Sequence, residues 1–520
     1  MKQKRLLSMI LCAIMLASAA LTGCSESGAN AEETTSATPD APDAAAEITA
    51  EGGEASAEAS GEAEGLIAIE ADYDWTAGVQ KKDYEGYEYT ILNGCTATWY
   101  SYLNVTVEET TGEPVNDAFI ERENRTEEFL NISIQELHDG DSMNILKNAV
   151  KSGSNDFDYG NVTLMNCYAV AMEGNVFDLN AIAPDAGVDL TNVWWDQNAR
   201  ENLTINNQLY FMTSDADTTR FDSIRSLYFN KEMIEQNGLE NPYDLVDNNE
   251  WTVDKFTEMC TSVIVDKDGD GQMTDMDQYG WISYTEIMSD LLMCGMGTQF
   301  VTKDPDTGML ADGTVGENFV DMYNKVINLL FTQQNAVFDV RASSRANQLR
   351  GLGDRAQETI FTENGALFYS ECMAWTRVLR DMEADFGVLP PPKYNADQER
   401  YYSIILNPFM QMIPVTSEDP LRTLHVLDVF SAASHDTVVD AYVNVTLTGK
   451  VARDEDTVRM LHLVFDELYY NLHFSSISIR STVNGAISSG SDSIASMLKK
   501  TEKAVTKQLA KTNEFFFPEG

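Results

Sequence analysis

Tyr87-Glu88-Tyr89-Thr90-Ile91-Leu92, followed by Asn93-Gly94, opens a run in which short strands and helices alternate down to Leu164. The first six residues are mostly aromatic or β-branched and so read as a strand, and Asn-Gly reads as a turn pair. An amphipathic helix is predicted from about Asn116 to Phe129, with Ala118, Ile120 and Phe129 among its apolar contacts. Ile132-Ser133-Ile134 predicts a second strand, Met143 to Val150 a second helix, and Phe157 to Leu164 a third strand. This alternation indicates βαβ units and a mostly parallel sheet.

The same grammar returns later, with strands at Leu227–Asn230, Gly280–Tyr284, Ala366–Tyr369 and Phe386–Leu389. Helices are expected at Trp251–Ile264 and Phe319–Phe331, and there is no tandem repeat. One sheet holding all these units would be very wide. Two α/β lobes are the more economical reading, and 520 residues suit them.

The start of the chain is a targeting signal. Lys2, Lys4 and Arg5 precede an apolar run from Leu6 to Leu21, too short and wrongly flanked for an ordinary membrane span. The run ends in Leu21-Thr22-Gly23-Cys24, the small-residue context a lipoprotein signal peptidase accepts, so Cys24 is expected to carry lipid. The rival is an ordinary secreted protein with a chance cysteine. From 25 to about 75 the chain is rich in Ala, Glu, Ser, Thr and Gly and holds no Lys or Arg. It reads as a disordered acidic tether, reaching roughly 40 Å as a random coil. Gly52, Gly53, Gly61 and Gly65 weigh against an Ala/Glu helix there. An extracytoplasmic location follows, with the membrane engaged through lipid on Cys24.

The formal charge of −48, from 35 basic and 83 acidic residues, makes nucleic acid and anionic membrane poor partners. Cys95, Cys167, Cys260, Cys294 and Cys372 are odd in number and widely spaced. They read as small buried hydrophobes, not as a disulfide framework or a zinc site.

Several segments together resemble the extracellular solute-binding proteins of family 1, the carbohydrate-type binding proteins of ATP-driven importers. Thr111-Gly112-Glu113-Pro114, Asn116-Asp117-Ala118 and Glu121-Arg122 are similar to the entry of that family's first helix. Leu209-Tyr210-Phe211 and Leu227-Tyr228-Phe229-Asn230-Lys231 resemble its first crossing between lobes, and Trp251-Thr252 the capped helix that follows. Ala366-Leu367-Phe368 with Trp375, then Phe386-Gly387-Val388-Leu389-Pro390 and Lys393-Tyr394, resemble the return crossing. Ile413-Pro414, Tyr442 and Arg453-Asp454-Glu455 continue the likeness, which covers roughly Tyr87 to Tyr470.

The resemblance implies an α/β, two-lobed periplasmic-binding-protein-like fold of type II, with hinge-crossing strands and a ligand cleft between the lobes. The first lobe is expected at 85–222 and 388–435, the second at 226–386 and 440–520. The implied function is a monomeric receptor that delivers a small polar solute, a sugar or oligosaccharide, to ABC permease subunits. The alternatives are a ligand-sensing partner of a membrane sensor kinase and, more remotely, a surface glycosidase.

Sugars are recognised by flat apolar faces and planar polar groups. Trp99 and Tyr100 follow the first strand, where binding loops open in this architecture. Trp195, Tyr210, Tyr284, Trp375 and Tyr402 lie near predicted strand ends or crossings, and Asp217 and Arg377 could bond hydroxyls. Core packing is the competing role for each ring. The resemblance favours Trp375, since related sugar binders place a stacking tryptophan just after this strand. Trp194 and Trp195 are adjacent, so they are expected to face opposite ways, with at most one reaching ligand.

Asp266-Lys-Asp268-Gly-Asp270-Gly271-Gln272-Met-Thr274-Asp-Met-Asp277 matches a twelve-residue calcium loop. Asp266, Asp268 and Asp270 supply carboxylates, Gln272 a carbonyl, Thr274 a hydroxyl or bridged water, and Asp277 the last carboxylate in place of the usual Glu. A structural Ca2+ is expected, the competing reading being an acidic solvated turn. Five histidines, none in HExxH, and the lack of GxSxG, GxxxxGK[ST] or GxGxxG argue against an enzyme.

Overall fold

A computed structural model of the chain describes residues 66–518 apart from 71, 317, 343–355, 380–381, 449–452, 473 and 475. Cys24, the signal segment and the tether up to 65 lie outside the described residues. No helix among the described residues is long and apolar enough to cross a membrane.

Two sheets organise the body. The first has the order β12-β3-β1-β2, formed by β1 (Tyr87–Asn93), β2 (Ile132–His138), β3 (Tyr159–Thr163) and β12 (Phe409–Met412). The second has the order β10-β4-β9-β5-β8. Its strands are β4 (Arg225–Asn230), β5 (Tyr279–Ser283), β8 (Val337–Asp339), β9 (Ala366–Cys372) and β10 (Phe386–Leu389). A hairpin, β6 (Val301–Lys303) and β7 (Leu310–Asp312), and a parallel pair, β11 (Ser403–Ile404) with β13 (Leu468–Tyr469), stand outside them. Each main sheet is parallel except for one strand. That strand is β4 in one and β12 in the other, each antiparallel to its neighbours. Both are strands by which the chain arrives from the opposite lobe, and each runs against the direction of the parallel strands it joins.

Local chemistry sets the element ends. Pro114 opens the helix Pro114–Leu130, Glu113 accepts from the Asn116 amide at 2.8 Å, and Asn131 closes it in the left-handed conformation. Asn230 ends β4 and caps the helix Lys231–Asn237 by accepting from the Met233 amide at 3.0 Å. Thr252 caps the helix Val253–Ser262 in the same way. Asn93-Gly94 is not a turn: β1 runs through Asn93, and Gly94 keeps an ordinary φ. Glycine is needed there for close approach, since a Cβ would lie 2.3 Å from Ser142 Oγ and 2.8 Å from the Asn161 carbonyl. The five cysteines from Cys95 onward are free and buried.

Three segment assignments differ from the sequence reading. Residues ahead of the expected boundary at 75 already pack on the body. Leu66 is buried, the Ile67 amide donates to Asn444 Oδ1 at 3.1 Å, and Trp75 packs edge-on against Phe129. Leu66, Ile67 and Trp75 give this stretch apolar area to bury against the body. Phe386–Leu389 lies wholly in the second sheet, and the π-helical stretch His435–Thr448 packs on Pro114–Leu130 of the first lobe, beyond the expected boundary at 440. The last helix, Ile494–Phe516, does pack against the second lobe, but its end reaches the first: Asn206 Nδ2 and Gln208 Nε2 donate to the Phe516 carbonyl at 2.7 and 3.0 Å.

Candidate functional site

In open α/β sheets, ligands meet the carboxyl edges of the parallel strands. Beyond β1 the edge of the first lobe is a loop fastened from below. Asn93 Nδ2 donates to the Leu103 carbonyl at 2.7 Å and to Glu136 Oε1 at 2.6 Å, while its Oδ1 accepts from the Cys95 amide at 2.9 Å. Glu136, on β2, also accepts from the Val105 and Thr106 amides at 3.0 and 2.8 Å. Asp222, fully buried, holds the tip: it accepts from the Ser101 amide and Oγ at 2.7 Å each and from Tyr442 OH at 2.5 Å. Burial pushes its carboxyl above the ordinary range, with those bonds opposing.

Trp99 rides on this loop, half-buried and stacked on Tyr100 at 3.7 Å. Tyr100 is interior, with its hydroxyl donating to the Asn407 carbonyl at 2.8 Å. Trp99 is therefore the outward ring and Tyr100 its support.

On the second lobe, β9 runs into the turn Met373–Trp375 and the short helix Thr376–Leu379. Trp375 is half-buried, and the Arg377 guanidinium lies 5.6 Å from its ring centre. Arg377 Nη1 reaches the Trp99 carbonyl and Ser101 Oγ at 3.2 Å each, and its own Ala374 carbonyl at 3.1 Å. One arginine thus touches both tryptophans and joins the two lobes.

Four residues ahead of Trp375, buried Glu371 pairs with Arg225 and accepts from Tyr284 OH at 2.9 Å. Tyr284 in turn accepts from Gln357 Nε2 at 3.0 Å, and Arg341 lies 3.7 Å over its ring. Tyr284 belongs to this edge, but its hydroxyl is already occupied. Glu358, which accepts from Gln357 at 3.0 Å, is raised above the ordinary carboxylate range by burial.

The other predicted ligand residues do not join this group. Trp195 is core, and so is Trp194: both indoles donate to the same oxygen, Asp428 Oδ1, at 2.8 and 2.7 Å. The two side chains converge on one acceptor, where adjacency alone suggests divergence. Burial pushes Asp428 up to about 6. Tyr210 packs on Phe515 of the last helix at 5.6 Å. Tyr402 packs edge-on against Tyr469 beside the β11–β13 pair at 5.7 Å. Asp217 is buried under the first-lobe loop, beside a void of ≈ 10 Å³, room for about one water. Its Oδ1 accepts from the Thr219 amide at 2.8 Å, its Oδ2 has no partner among the described residues, and burial pushes it up to about 6.

Sequence reasoning missed Ser101, Asp222, Arg225, Arg341, Gln357 and Glu371. Ser101 had a signal, being two residues beyond Trp99 on a loop already singled out. Arg225 and Glu371 had none, because strand pairing across 146 residues brings them together.

In the calcium-type loop, one oxygen from each of Asp266, Asp268 and Asp270 lies within 4.8 Å of the others. Asp266 accepts from the Gly269 and Gly271 amides at 2.7 and 2.8 Å, which holds its carboxyl below the ordinary range. Asp277 is not in that cluster. Its two oxygens accept from the Lys267 and Thr274 amides at 2.9 and 2.6 Å, so it closes the loop from inside. Thr274 Oγ1 also turns to Asp277, at 3.2 Å, and the Gln272 amide donates to Asp270 Oδ1 at 2.6 Å.

No family model matches the chain, and no curated protein matches it in sequence. Its fold has clear counterparts among solved structures. The cyclic α-maltosyl-1,6-maltose binding protein from Arthrobacter globiformis matches with a TM-score of 0.54 at 15% identity, covering 82% of this chain and 100% of that one. The galacto-N-biose/lacto-N-biose I-binding protein of an ABC transporter from Bifidobacterium longum matches at 0.53 and 12% identity, covering 82% and 98%. A sugar transporter protein from Rhizobium etli in an open conformation matches at 0.51 and 14%, covering 83% and 100%. The chain therefore has the two-lobed α/β fold of the sugar-binding substrate-binding proteins of ABC transporters.

Proposed function

We propose that this protein is an extracytoplasmic receptor that captures a sugar or oligosaccharide between its lobes and hands it to an ABC importer. The observation that carries this reading is the pair of half-buried tryptophans, Trp99 on one lobe and Trp375 on the other, both touching Arg377. Two aromatic faces on opposite lobes suit a ring-shaped ligand with apolar CH patches. A maltosyl-maltose binder and a lacto-N-biose binder share the fold, which supports a carbohydrate ligand. The chain itself does no covalent chemistry. It acts as a monomer, tethered through lipid on Cys24, and ATP hydrolysis elsewhere drives import.

The test is a thermal-shift screen of the body against mono- and oligosaccharides. A ligand at a hundred times its dissociation constant stabilises by about 2.7 kcal/mol, an easily seen shift. Silence across the whole panel would sink the sugar assignment.

We further propose that the loop 266–277 holds a structural Ca2+, gathered by Asp266, Asp268 and Asp270, with Gln272 and Thr274 completing the shell. Three carboxylates converging on one turn repel one another unless a cation is shared between them, and that supports the fit. Asp277 shapes the loop and is not a ligand. Calorimetric titration should show calcium binding, and a chelator should lower the melting temperature; neither effect would mean a solvated turn.

A further inference from the structure

The last helix, Ile494–Phe516, carries the one conspicuous basic pattern in a chain of net charge −48. Lys500, Lys503, Lys507 and Lys511 recur at intervals of three and four residues, so they form one row about 16 Å long. Lys499 stands at its head, and all five are exposed. None has a hydrogen bond or an ion pair among the described residues. This contrasts with Lys231, Lys255 and Lys325, each of which meets a carboxylate. The buried residues of the helix, Ile494, Val505, Leu509, Thr512, Asn513 and Phe516, occupy the opposite face and fasten it to the body. The row therefore points straight into solvent.

Beside its lower half lies a groove of ≈ 1180 Å³. Leu310, Leu509, Phe517 and the 40%-exposed Met309 give it an apolar lining, and its charged lining is Lys507, Lys511 and one carboxylate, Glu514. A row of unpaired cations beside an apolar groove matches a segment with carboxylates on one face and apolar side chains on the other.

We propose that this face docks an acidic, amphipathic segment of a protein partner. An anionic lipid surface fits less well. A bilayer presents phosphates across the whole footprint, and outside the lysine row it meets a strongly acidic body. A single segment about 10 Å wide addresses only the row and groove, and salt screens the rest of the body's charge beyond about 8 Å. The inference rests on the charge pattern and the groove, and it stands whichever solute the cleft binds.

The test is fluorescence anisotropy of a labelled 20-residue helical peptide, Glu on one face and Leu on the other, titrated with the full chain. Binding should weaken as salt rises. Lys503→Glu/Lys507→Glu/Lys511→Glu should lose about tenfold or more, three reversed surface charges acting together. Met309→Glu should also weaken binding, and a peptide with Lys in place of Glu should not bind. These exposed positions leave the fold intact, which the melting temperature checks. Failure of the acidic peptide to bind, or equal binding by the triple variant, overturns the proposal. So does lysine-dependent binding to anionic phospholipid vesicles with none to the peptide, which would reassign the row to the membrane.

Discussion

Replacing Arg377 by alanine should unlatch the two lobes. Its Nη1 serves three carbonyl or hydroxyl acceptors, and two of them, the Trp99 carbonyl and Ser101 Oγ, belong to the first-lobe loop at 3.2 Å. A hydrogen bond to a charged group is worth about 1.5–3 kcal/mol, and long contacts at a half-buried site fall at the low end. One nitrogen divided among acceptors cannot deliver the full sum. The net is about 1.5 kcal/mol, or roughly a tenfold loss of affinity for a ligand that needs the lobes together. Lysine keeps the charge but loses the planar fork, so Arg377→Lys should fall between the two.

Calorimetry with a hit from the sugar screen measures the affinity, and small-angle scattering of the ligand-free protein measures the lobe separation. The latch predicts weaker binding and a larger radius of gyration for Arg377→Ala. If neither quantity moves, the latch is refuted. If affinity falls while scattering stays the same, Arg377 is a ligand contact and not a brace between lobes.

Three further outcomes follow from the geometry. Trp375→Ala should weaken ligand by about 1–3 kcal/mol in the same calorimetric titration, and unchanged affinity would move that ring to the core. Asp428 rises to about 6 in the fold from its ordinary 3.8, so the folded state holds an extra proton between those pH values. Stability from this group is present below about pH 4 and lost as pH rises through 6, about 2–3 kcal/mol in all; urea unfolding of Asp428→Asn should lack that slope. His425 has the opposite sign. Burial lowers its pKa, and Tyr84 OH and the Gln80 carbonyl meet its two ring nitrogens at 2.8 and 2.9 Å. The neutral ring is favoured in the fold, so this clasp is intact above about pH 6.5 and loosens as pH falls below it. Hydrogen exchange over 73–84 should speed up on acidification, and an unchanged rate would refute the clasp.

Much of the architecture was legible because it is written locally. YEYTIL at β1, FGVL at β10 and the Asn230 and Thr252 caps each act through neighbours within four residues, so strand–helix alternation and its two-lobed consequence could be read from the chain. The carboxylates of Asp266, Asp268 and Asp270 come together for the same reason, within one turn. Trp99 and Trp375 were legible as rings just past strand ends.

What the chain could not show was which rings face inward. Trp195 and Tyr210 looked as suitable as Trp99, yet Asp428, 233 residues from Trp195, claims one, and the last helix covers the other. The Arg225–Glu371 pair within one sheet, the Asp222 clamp on Ser101 within the first lobe and the Arg377 bridge between lobes each join segments more than a hundred residues apart. Periodicity and capping are properties of a few consecutive residues, so the sequence alone determines them. The partner of a buried polar group depends on what the whole chain folds against it, and only the tertiary structure decides that.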